Sequence, residues 1–365
     1  MSSIGDSSVA SEKQFFEGAE KLLELWFDRH FNSSGSLRHI PRYEWDSLLA
    51  LANCQIISSL STSQMDAFVL SESSLFVSDQ RLILKTCGST DLLVALERLF
   101  ELAAKYAGLT TILNVFYSRK NFSRPELQPL THRSFDAEVE LLNRYFSQDG
   151  AAYCLGRLNQ DRWYLYTLNP PLGPSPIADQ TLEILMSDLD PDVMDIFTSH
   201  TAADGKHATK LAGIDQLAPP GFIIDEKLFH PCGYSMNGIS QHDDEYLTIH
   251  VTPEPDFSYV SYECNISSVG MYQQTCAVLE RFRPSRFLMT LFADNQSLAQ
   301  RDQQAIWEKS IPGYRRKDLQ LLTLTEGTLV YAQFQRHPHS AIHQKISFPS
   351  TVIQSPSQSA LCIAN

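Results

Sequence analysis

The chain has 365 residues, of which 43% are hydrophobic and 19% are charged, and its formal net charge is −13 at pH 7. This length allows one large domain or two ordinary ones, and the apolar content excludes a chain that is disordered throughout. The negative charge argues against a nucleic-acid partner, which would require a basic patch. No apolar run approaches the roughly 20 residues that span a bilayer, so we expect no membrane segment.

Cysteine usage limits the compartment and the kind of site. The seven cysteines are an odd number, are widely spaced and include no Cys-x-x-Cys pair. This pattern fits neither a disulfide framework nor a zinc site, and we expect no metal. Cysteines without a disulfide framework are typical of the cytosol, so we expect a cytoplasmic protein.

The N-terminal region contains one segment whose secondary structure is ambiguous. Residues 1–13 are rich in serine and lack both a basic start and an apolar stretch, so we expect a flexible leader and no secretory signal. The apolar residues of Phe16–Phe27 fit one face of a helix, whereas in a strand Glu20, Leu22 and Glu24 would lie on the same side. The pattern alone leaves both alternatives open.

A serine-rich segment, Leu70–Ser74, lies between two apolar runs and reads Leu-Ser-Glu-Ser-Ser. At a tight bend, the hydroxyl of Ser73 can attack the carbonyl carbon of Glu72 and convert the amide into an ester. If a base then removes the Cα proton of Ser73, the ester is eliminated and the chain breaks after Glu72. The remaining dehydroalanine hydrolyses to a pyruvoyl group, a ketone that serves as an electron sink. Serine-rich turns are common, so this pattern alone does not distinguish a cleavage site from an ordinary turn.

Alternation and helical periodicity predict the remaining elements. Alternating apolar residues predict half-buried antiparallel strands at Arg81–Leu84, Tyr153–Leu158, Trp163–Leu168, Tyr246–Val251, Tyr259–Tyr262 and Phe287–Phe292. Amphipathic patterns predict helices at Leu92–Tyr106 and Asp136–Phe146.

Three segments have the composition of loops or linkers. Residues 170–176 are rich in proline and predict a stiff connector. The polar stretch Ser199–Gly221 is interrupted by glycine and proline and predicts a long loop. Residues 335–365 are rich in Ser, Pro, Gln and His, and we expect a disordered tail.

The chain resembles eukaryotic S-adenosylmethionine decarboxylase proenzymes from about Phe15 to about Phe334. The motifs that carry the resemblance occur in the family's order: Phe15–Gly18, Glu20–Glu24, Val69–Ser74, Lys85–Gly88, Tyr117–Phe122, Asp179–Glu183, Pro231–Gly238 and His250–Pro255. The resemblance favours a strand for the ambiguous N-terminal segment. It implies an α/β (α+β) fold, a four-layer α/β/β/α sandwich of two mainly antiparallel sheets with helices on the outer faces. The decarboxylase domain would cover residues 14–334 in two similar halves, with the seam near 170–176.

The resemblance also assigns the chemistry. The proenzyme would cleave itself between Glu72 and Ser73, and Ser73 would become the pyruvoyl cofactor, which forms a Schiff base with the substrate amine. Ser235 would stabilise the tetrahedral oxyanion, and His250, whose imidazole titrates near neutral pH, would remove the Cα proton of Ser73. Cys87 would return a proton to the decarboxylated substrate, as a thiol with a pKa near about 8 can do. The backbone of Glu72 would border the bound substrate.

Further residues match the family's substrate site. Glu17 and Glu20 lie in an otherwise apolar segment, and buried carboxylates need partners. The resemblance gives them catalytic roles beside the sulfonium and the α-amino group of S-adenosylmethionine. Phe16 and Phe229 match the aromatic pair that encloses the adenine ring, and Glu254 matches the carboxylate that accepts hydrogen bonds from the ribose hydroxyls.

A second group of acidic residues matches the family's putrescine-binding site. Its members are Glu24, Asp179, Thr181, Glu183 and Glu263. Leu22 and Phe116 are apolar here, which is typical of the animal enzymes that putrescine activates. We expect charged side chains such as Lys85, Glu20 and Arg119 to couple this site to the active site, and we expect a homodimer of cleaved protomers.

Two other functions compete with this interpretation. One is a catalytically inactive regulatory paralogue that binds an active decarboxylase, and the other is an acidic α/β binding module without chemistry. An inactive paralogue would be marked by loss of Ser73, Cys87, Ser235 or His250, and all four are present. A simple binding module would not explain why these residues occur together.

Overall fold

The structure, a computed structural model, describes residues 15–29, 35–146, 149–172 and 178–338. The predicted leader and most of the predicted tail and proline-rich connector lie outside the described residues. Within the described ranges, no helix is both long enough and apolar enough to cross a membrane.

The first half of the chain forms an eight-stranded sheet. Its strands are β1 (Lys21–Phe27), β2 (Ile56–Ser61), β3 (Asp66–Leu70), β4 (Ser73–Val77), β5 (Arg81–Thr86), β6 (Ile112–Lys120), β7 (Gly150–Leu155) and β8 (Trp163–Leu168). They pair antiparallel in the order β2-β3-β4-β5-β1-β6-β8-β7. The helices of this half are α1 (Arg42–Leu51), α2 (Leu96–Leu102) and α3 (Phe135–Phe146). Short 3-10 turns precede α1, α2 and α3, and a π-helical segment, Ala103–Ala107, continues α2.

The second half repeats this topology. Its strands are β9 (Gln180–Ser187), β10 (Phe222–Leu228), β11 (Tyr234–Ser240), β12 (Tyr246–Thr252), β13 (Tyr259–Cys264), β14 (Arg286–Asp294), β15 (Tyr314–Thr323) and β16 (Gly327–Arg336). The order β10-β11-β12-β13-β9-β14-β16-β15 is that of the first sheet with each strand number raised by eight. The helices are α4 (Pro191–Asp195), α5 (Gly205–Ala212), α6 (Met271–Phe282) and α7 (Gln300–Glu308).

The two sheets pack face to face, and the helices cover their outer faces. An outer apolar core joins each sheet to its helices. The core of the first half includes Leu23 of β1 and Leu96 of α2. The core of the second half includes Met289 of β14 and Val278 of α6. Smaller apolar clusters lie between the sheets. Each fully buried aliphatic side chain contributes roughly 1.5–3 kcal/mol. The architecture confirms the predicted four-layer sandwich.

The predicted strands and helices are present, and their boundaries agree within two residues except at one strand. The prediction that the strands are half-buried is wrong for β5, β8, β12, β13 and β14. They are largely buried on both faces, because helices cover one side of each sheet and the other sheet covers the second. The strand predicted at Tyr153–Leu158 is β7, which begins at Gly150 and ends at Leu155. Gly156 follows with a φ of 106°, a conformation that ends the ladder, and Leu158 beyond it is 84% exposed. The ambiguous N-terminal segment forms neither helix nor strand up to Glu20 and becomes strand β1 at Lys21.

The prediction of a loop throughout Ser199–Gly221 is wrong, because α5 lies within it. The Asp204 carboxylate caps α5 by accepting a hydrogen bond from the His207 N–H, and Gly213 ends the helix in the left-handed conformation. The last strand, β16, includes Gln335 and Arg336, the first two residues of the predicted tail.

Candidate functional site

The predicted cleavage point lies in the tight turn between β3 and β4. Leu70 and Ser73 pair across this hairpin, so only Ser71 and Glu72 form the turn. Ser73 has a φ of 112°, which is strained for a residue with a Cβ atom. Its hydroxyl is buried and has no hydrogen-bond partner. The attacking oxygen of the predicted acyl shift is therefore not engaged elsewhere.

The carbonyl of Glu72 is polarised by a backbone donor that the sequence did not indicate. The Cys87 N–H donates to the Glu72 carbonyl oxygen at 3.0 Å. A donor in this position stabilises the negative charge that develops on that oxygen when its carbonyl carbon is attacked. The strand β5 provides it, because Cys87 directly follows the residue, Thr86, that pairs with Ser73.

Cys87 lies at the end of β5, as predicted, and its thiol is largely buried. The Sγ atom lies 3.8 Å from the Glu72 carboxylate. Burial, followed by the negative charge of Glu72, raises the pKa of the Cys87 thiol well above its usual value. The thiol therefore keeps its proton at neutral pH and can act as an acid. Gly88, with a φ of 61°, lets Phe16 approach, since a Cβ there would lie 3.1 Å from the Phe16 ring.

The second sheet contributes Ser235 and His250. These residues pair across β11 and β12, and the Ser235 hydroxyl lies 2.8 Å from His250 Nδ1. Burial, and then the positive charge of Lys85, lowers the pKa of His250 well below its usual value. The imidazole is therefore neutral at neutral pH and can accept a proton.

Two hydroxyls that the sequence did not reveal contact the other imidazole nitrogen, and an amide, that of Asn237, contacts both hydroxyls. The hydroxyls of Ser74 and Thr248 lie 3.0 and 2.9 Å from His250 Nε2. The same hydroxyls lie 2.6 and 3.0 Å from Asn237 Oδ1. Strand alternation places Asn237 on the same face of β11 as Ser235, and Thr248 on the same face as His250. The sequence did not reveal that β4 would face these strands.

One cavity of about 200 Å³ brings most of the predicted site residues together from both halves of the chain. Predicted site residues that line it are Phe16, Glu72, Ser73, Cys87, Phe229, Ser235, His250 and Glu254. One carboxylate oxygen of Glu254 is buried without a hydrogen-bond partner. A buried acceptor of this kind calls for a donor from a ligand.

Glu17 lies outside this cavity. It lines an adjoining cavity that shares Phe16 and Glu72 with the first. Its carboxylate accepts hydrogen bonds from the backbone N–H groups of Ser123 at 2.7 Å and Arg124 at 3.3 Å. Burial is the main influence on this group and raises the pKa of Glu17.

Glu20 lies deeper between the sheets. Its carboxylate accepts hydrogen bonds from the hydroxyls of Ser261 and Tyr259. Burial raises the pKa of Glu20, and the positive charge of Lys85 opposes that rise. Glu20 is therefore placed beside the charge network of the acidic residues described next.

The five residues predicted to bind putrescine surround a second, smaller cavity of about 50 Å³ between the sheets. Its apolar walls include Leu22, Phe116 and Phe292. Because one water molecule needs about 10–15 Å³ of such volume, this cavity has room for a few water-sized groups.

Two buried cations partly neutralise this acidic cavity. Arg81 donates to Glu24 at 2.7 Å and lies 3.6 Å from Asp179. Lys85 lies 2.7 Å from Glu263 and 3.8 Å from Glu183.

Burial has a marked effect on the protonation of this cavity. Chiefly through loss of hydration, it raises the pKa of Glu24 and of Glu183 to about 7 each, although Arg81 and Lys85 oppose the shift. These two carboxyls therefore change charge near neutral pH.

Lys85 and Glu20 lie between the two cavities, but Arg119 does not. The Arg119 side chain faces the helical layer, where its Nε donates to Glu138 at 2.8 Å and its guanidinium stacks over Phe122. The prediction that Arg119 couples the sites is wrong, because on β6 it alternates to the face opposite Phe116.

Comparisons with known proteins agree on one family. The family model described as adenosylmethionine decarboxylase matches residues 13–335. The chain is 53% identical to the S-adenosylmethionine decarboxylase proenzyme of Caenorhabditis elegans over 89% of each chain. It is 49% identical to that of Onchocerca volvulus over 91% of each chain. A crystal structure of the Trypanosoma brucei AdoMetDC-delta26 monomer matches 72% of this chain and 99% of its own, with a TM-score of 0.56 and 25% identity.

Proposed function

The chain belongs to the adenosylmethionine decarboxylase family, and we propose that it cleaves itself between Glu72 and Ser73 and then decarboxylates S-adenosylmethionine. The observation that carries the proposal is the strained Ser73, whose unpartnered hydroxyl lines the same cavity as Ser235 and His250. The product, decarboxylated S-adenosylmethionine, would serve as the aminopropyl donor for spermidine and spermine.

Self-cleavage uses groups that are already in position. The Ser73 oxygen bonds to the Glu72 carbonyl carbon, and its proton moves to the amide nitrogen as the C–N bond breaks, which leaves an ester. The Cys87 N–H supports this step by its contact with the carbonyl oxygen. His250 then takes the Cα proton while the Cβ–O bond breaks and Glu72 leaves as a carboxylate. Water then hydrolyses the resulting dehydroalanine to the pyruvoyl group, and its nitrogen departs as ammonia.

The residues of the cavity fit a pyruvoyl group at position 73. When formed, this group supplies an electron sink for the electron pair left by departing CO₂. Cys87, whose thiol keeps its proton, would protonate the substrate carbon. Phe16 and Phe229 would enclose the adenine ring, and the unpartnered oxygen of Glu254 would accept a ribose hydroxyl. The family resemblance carries these assignments, and the shared cavity supports them.

The inactive paralogue is the weaker alternative. In an inactive chain there is no requirement to keep Ser73, Cys87, Ser235 and His250 together. Here all four line one cavity, and this arrangement favours an active enzyme.

For the acidic cavity we propose a diamine activator, with putrescine as the expected ligand. Five carboxylates, those of Glu20, Glu24, Asp179, Glu183 and Glu263, face the cations Arg81 and Lys85. A dication would offset part of the remaining negative charge. Lys85 connects the two sites, because it pairs with Glu263 and its charge also affects His250.

We also propose three further properties of the chain. They are a cytoplasmic location, a homodimer of cleaved protomers and a decarboxylase domain that covers residues 14–334. Light scattering of the cleaved protein tests the dimer through its molar mass.

A denaturing gel with mass spectrometry tests the proposed function. The wild-type chain should yield a piece of 72 residues and a piece of 365 − 72 = 293 residues with a blocked N-terminus. Ser73→Ala should remain one full-length chain. Ser71→Ala, in the same turn, is the matched control and should be cut like the wild type. A wild-type chain that stays intact after prolonged incubation contradicts the proposal.

A further inference from the structure

The hydrogen bonds around His250 define which of its nitrogens can act as the base. We infer that Asn237 is a positioning residue that, through the hydroxyls of Ser74 and Thr248, holds neutral His250 with its hydrogen on Nε2 and leaves Nδ1 to accept the Cα proton of Ser73. This inference deepens the proposed self-cleavage and rests on it for its functional meaning.

The Asn237 amide oxygen determines where the two neighbouring hydroxyls point their protons. An amide oxygen can only accept hydrogen bonds, and each hydroxyl has a single proton to donate. Ser74 and Thr248 both lie within hydrogen-bond distance of Asn237 Oδ1, at 2.6 and 3.0 Å. When both protons point to Asn237, both hydroxyls present lone pairs to His250.

The position of the imidazole hydrogen follows from the direction of these hydroxyl protons. Nε2 lies 3.0 Å from the Ser74 hydroxyl and 2.9 Å from the Thr248 hydroxyl, so facing only lone pairs it must carry the hydrogen. A neutral imidazole has one N–H, and Nδ1 is then an acceptor for the Ser235 hydroxyl at 2.8 Å. In this arrangement the three hydroxyl protons and the imidazole hydrogen all have acceptors, whereas the buried Asn237 Nδ2 has no hydrogen-bond partner.

The opposite tautomer satisfies fewer groups. With the hydrogen on Nδ1, Nε2 would need a donor, and Thr248 would have to turn its proton away from Asn237. Ser235 would then accept from Nδ1, and its own proton would lose its acceptor at His250. Each buried hydrogen bond left unmade is costly, so the network favours the Nε2–H form.

This tautomer links the two steps of cleavage through Ser235. In the resting chain the Ser235 proton points to Nδ1, while the Cys87 N–H already contacts the Glu72 carbonyl oxygen. As negative charge develops on that oxygen, the Ser235 hydroxyl can rotate toward it. The same rotation uncovers Nδ1, which becomes available for the Cα proton in the next step.

Nitrogen-15 NMR of the histidine-labelled Ser73→Ala chain tests the tautomer directly. Ser73→Ala prevents cleavage, and comparison with Ser73→Ala/His250→Ala identifies the His250 signals among the 11 histidines. We expect a protonated Nε2 and an unprotonated Nδ1. A protonated Nδ1 overturns the inference. This measurement requires no cleavage, so an intact wild-type chain on the gel would refute the proposed function and leave the tautomer assignment standing.

Variants in the same background test the role of Asn237. Asn237→Leu removes the acceptor and should shift the hydrogen toward Nδ1, whereas Asn237→Asp keeps an acceptor and should retain Nε2–H. Thr248→Val should also retain Nε2–H, since Ser74 still donates to Asn237. Thr275→Val is the matched control, because its buried hydroxyl bonds only within helix α6. An Asn237→Leu spectrum with Nε2 still protonated overturns the role of Asn237.

A kinetic arm gives the functional consequence in the cleavable chain. Asn237→Leu should slow elimination by about 10-fold or more, as part of a general-base contribution of about 10²–10⁴. The ester should accumulate and be cut by hydroxylamine, and Asn237→Asp should restore much of the rate. Elimination at the wild-type rate in Asn237→Leu would contradict the inference.

Discussion

Two cysteines line the same cavity, and we propose Cys87 as the one that donates a proton to the substrate. Cys87 lies beside Glu72 at the cleavage turn, whereas Cys232 lies in the turn before β11. We expect Cys87→Ala to lower CO₂ release from carboxyl-labelled S-adenosylmethionine by about 10²-fold or more, the usual scale of a lost general acid. The measurement uses cleaved protein, so that processing and turnover are separated.

Cys232→Ala is the matched control for this prediction. It removes a thiol from the same cavity and should leave CO₂ release close to that of the wild type. Equal losses in the two variants would indicate a general disturbance of the cavity and would remove Cys87 from the donor role.

The acidic cavity should respond to pH in a defined direction. Glu24 and Glu183 have pKa values of about 7 in the folded chain, above the ordinary 4.5 of a glutamate. Between these values the folded chain binds more protons than the unfolded one, so their contribution to stability is present at low pH and is lost as pH rises through about 7. Putrescine should offset this loss, and its thermal-shift effect should grow from about pH 6 to about pH 8.

Two variants and one ligand control test the diamine prediction. Glu183→Gln should reduce the shift produced by putrescine, whereas Glu140→Gln removes the same charge from the exposed face of α3 and should not. Butylamine, with one charge, should shift the melting temperature less than putrescine. A putrescine effect that is independent of pH would argue against binding to these carboxyls.

At the residue scale, the sequence predicted the groups that have an assigned chemical role. It missed the roles of Ser74 and Asn237, which stand in two of the same motifs but act through a contact between the sheets. Ser73, Cys87 and His250 were identified and line one cavity. Ser74 and Asn237 contact each other across 163 positions of sequence, and nothing local to either indicates the other. Such a contact depends on which faces of two sheets meet.

At the element scale, the β3–β4 hairpin holds strain at the cleavage point. The φ of 112° at Ser73 is costly for any residue with a Cβ atom and free of that cost for glycine. We therefore expect Ser73→Gly to be more stable than Ser73→Ala by about 1 kcal/mol or more in chemical unfolding. Neither variant has a hydroxyl at position 73, so both remain uncut and the comparison concerns the backbone alone.

The same two substitutions, to glycine and to alanine, at Ser71 in the same turn provide the control. Ser71 has no positive φ, so Ser71→Gly should be no more stable than Ser71→Ala when both are made in the uncut Ser73→Ala chain. If Ser73→Gly and Ser73→Ala unfold at the same denaturant concentration, the hairpin holds no strain at that residue.

The elements themselves were predictable where their periodicity was strong. Alternation identified β8 with both ends correct, because Trp163–Leu168 is bounded by polar and proline residues. The helix α5 was missed because its polar, glycine-bounded segment resembles a loop in composition. The Asp204 cap and the Gly213 stop were the available signals.

At the scale of the whole molecule, the two sheets enclose a layer of charge as well as apolar side chains. Lys85 of the first sheet forms an ion pair with Glu263 of the second. Glu20 of the first half accepts a hydrogen bond from the Ser261 hydroxyl of the second half. These contacts require the two halves to be docked in register. The sequence shows which residues are charged, but it does not show how the two sheets are placed against each other. The pairing of these charges was therefore accessible only through the family resemblance and the structure.

Lys85 and Lys21 allow a matched test of this charge layer, since both side chains are fully buried. Lys85 faces carboxylates, and although burial lowers its pKa, Glu263, Glu20 and Glu183 raise that pKa above its ordinary value. Lys21 donates only to the Gly88 carbonyl and the Gln128 amide oxygen, and burial lowers its pKa to about 8.

In the uncut Ser73→Ala chain, we expect Lys85→Met to lower the free energy of unfolding by about 3–5 kcal/mol, because it leaves buried carboxylates without their cation. Lys21→Met should cost less, since it removes a buried charge whose partners are neutral. The difference between the two variants should shrink as pH falls, because Glu183 and Glu20 then take up protons and no longer need Lys85. Denaturant unfolding at several pH values measures it. Equal losses at every pH would show that the layer contributes through packing and not through charge.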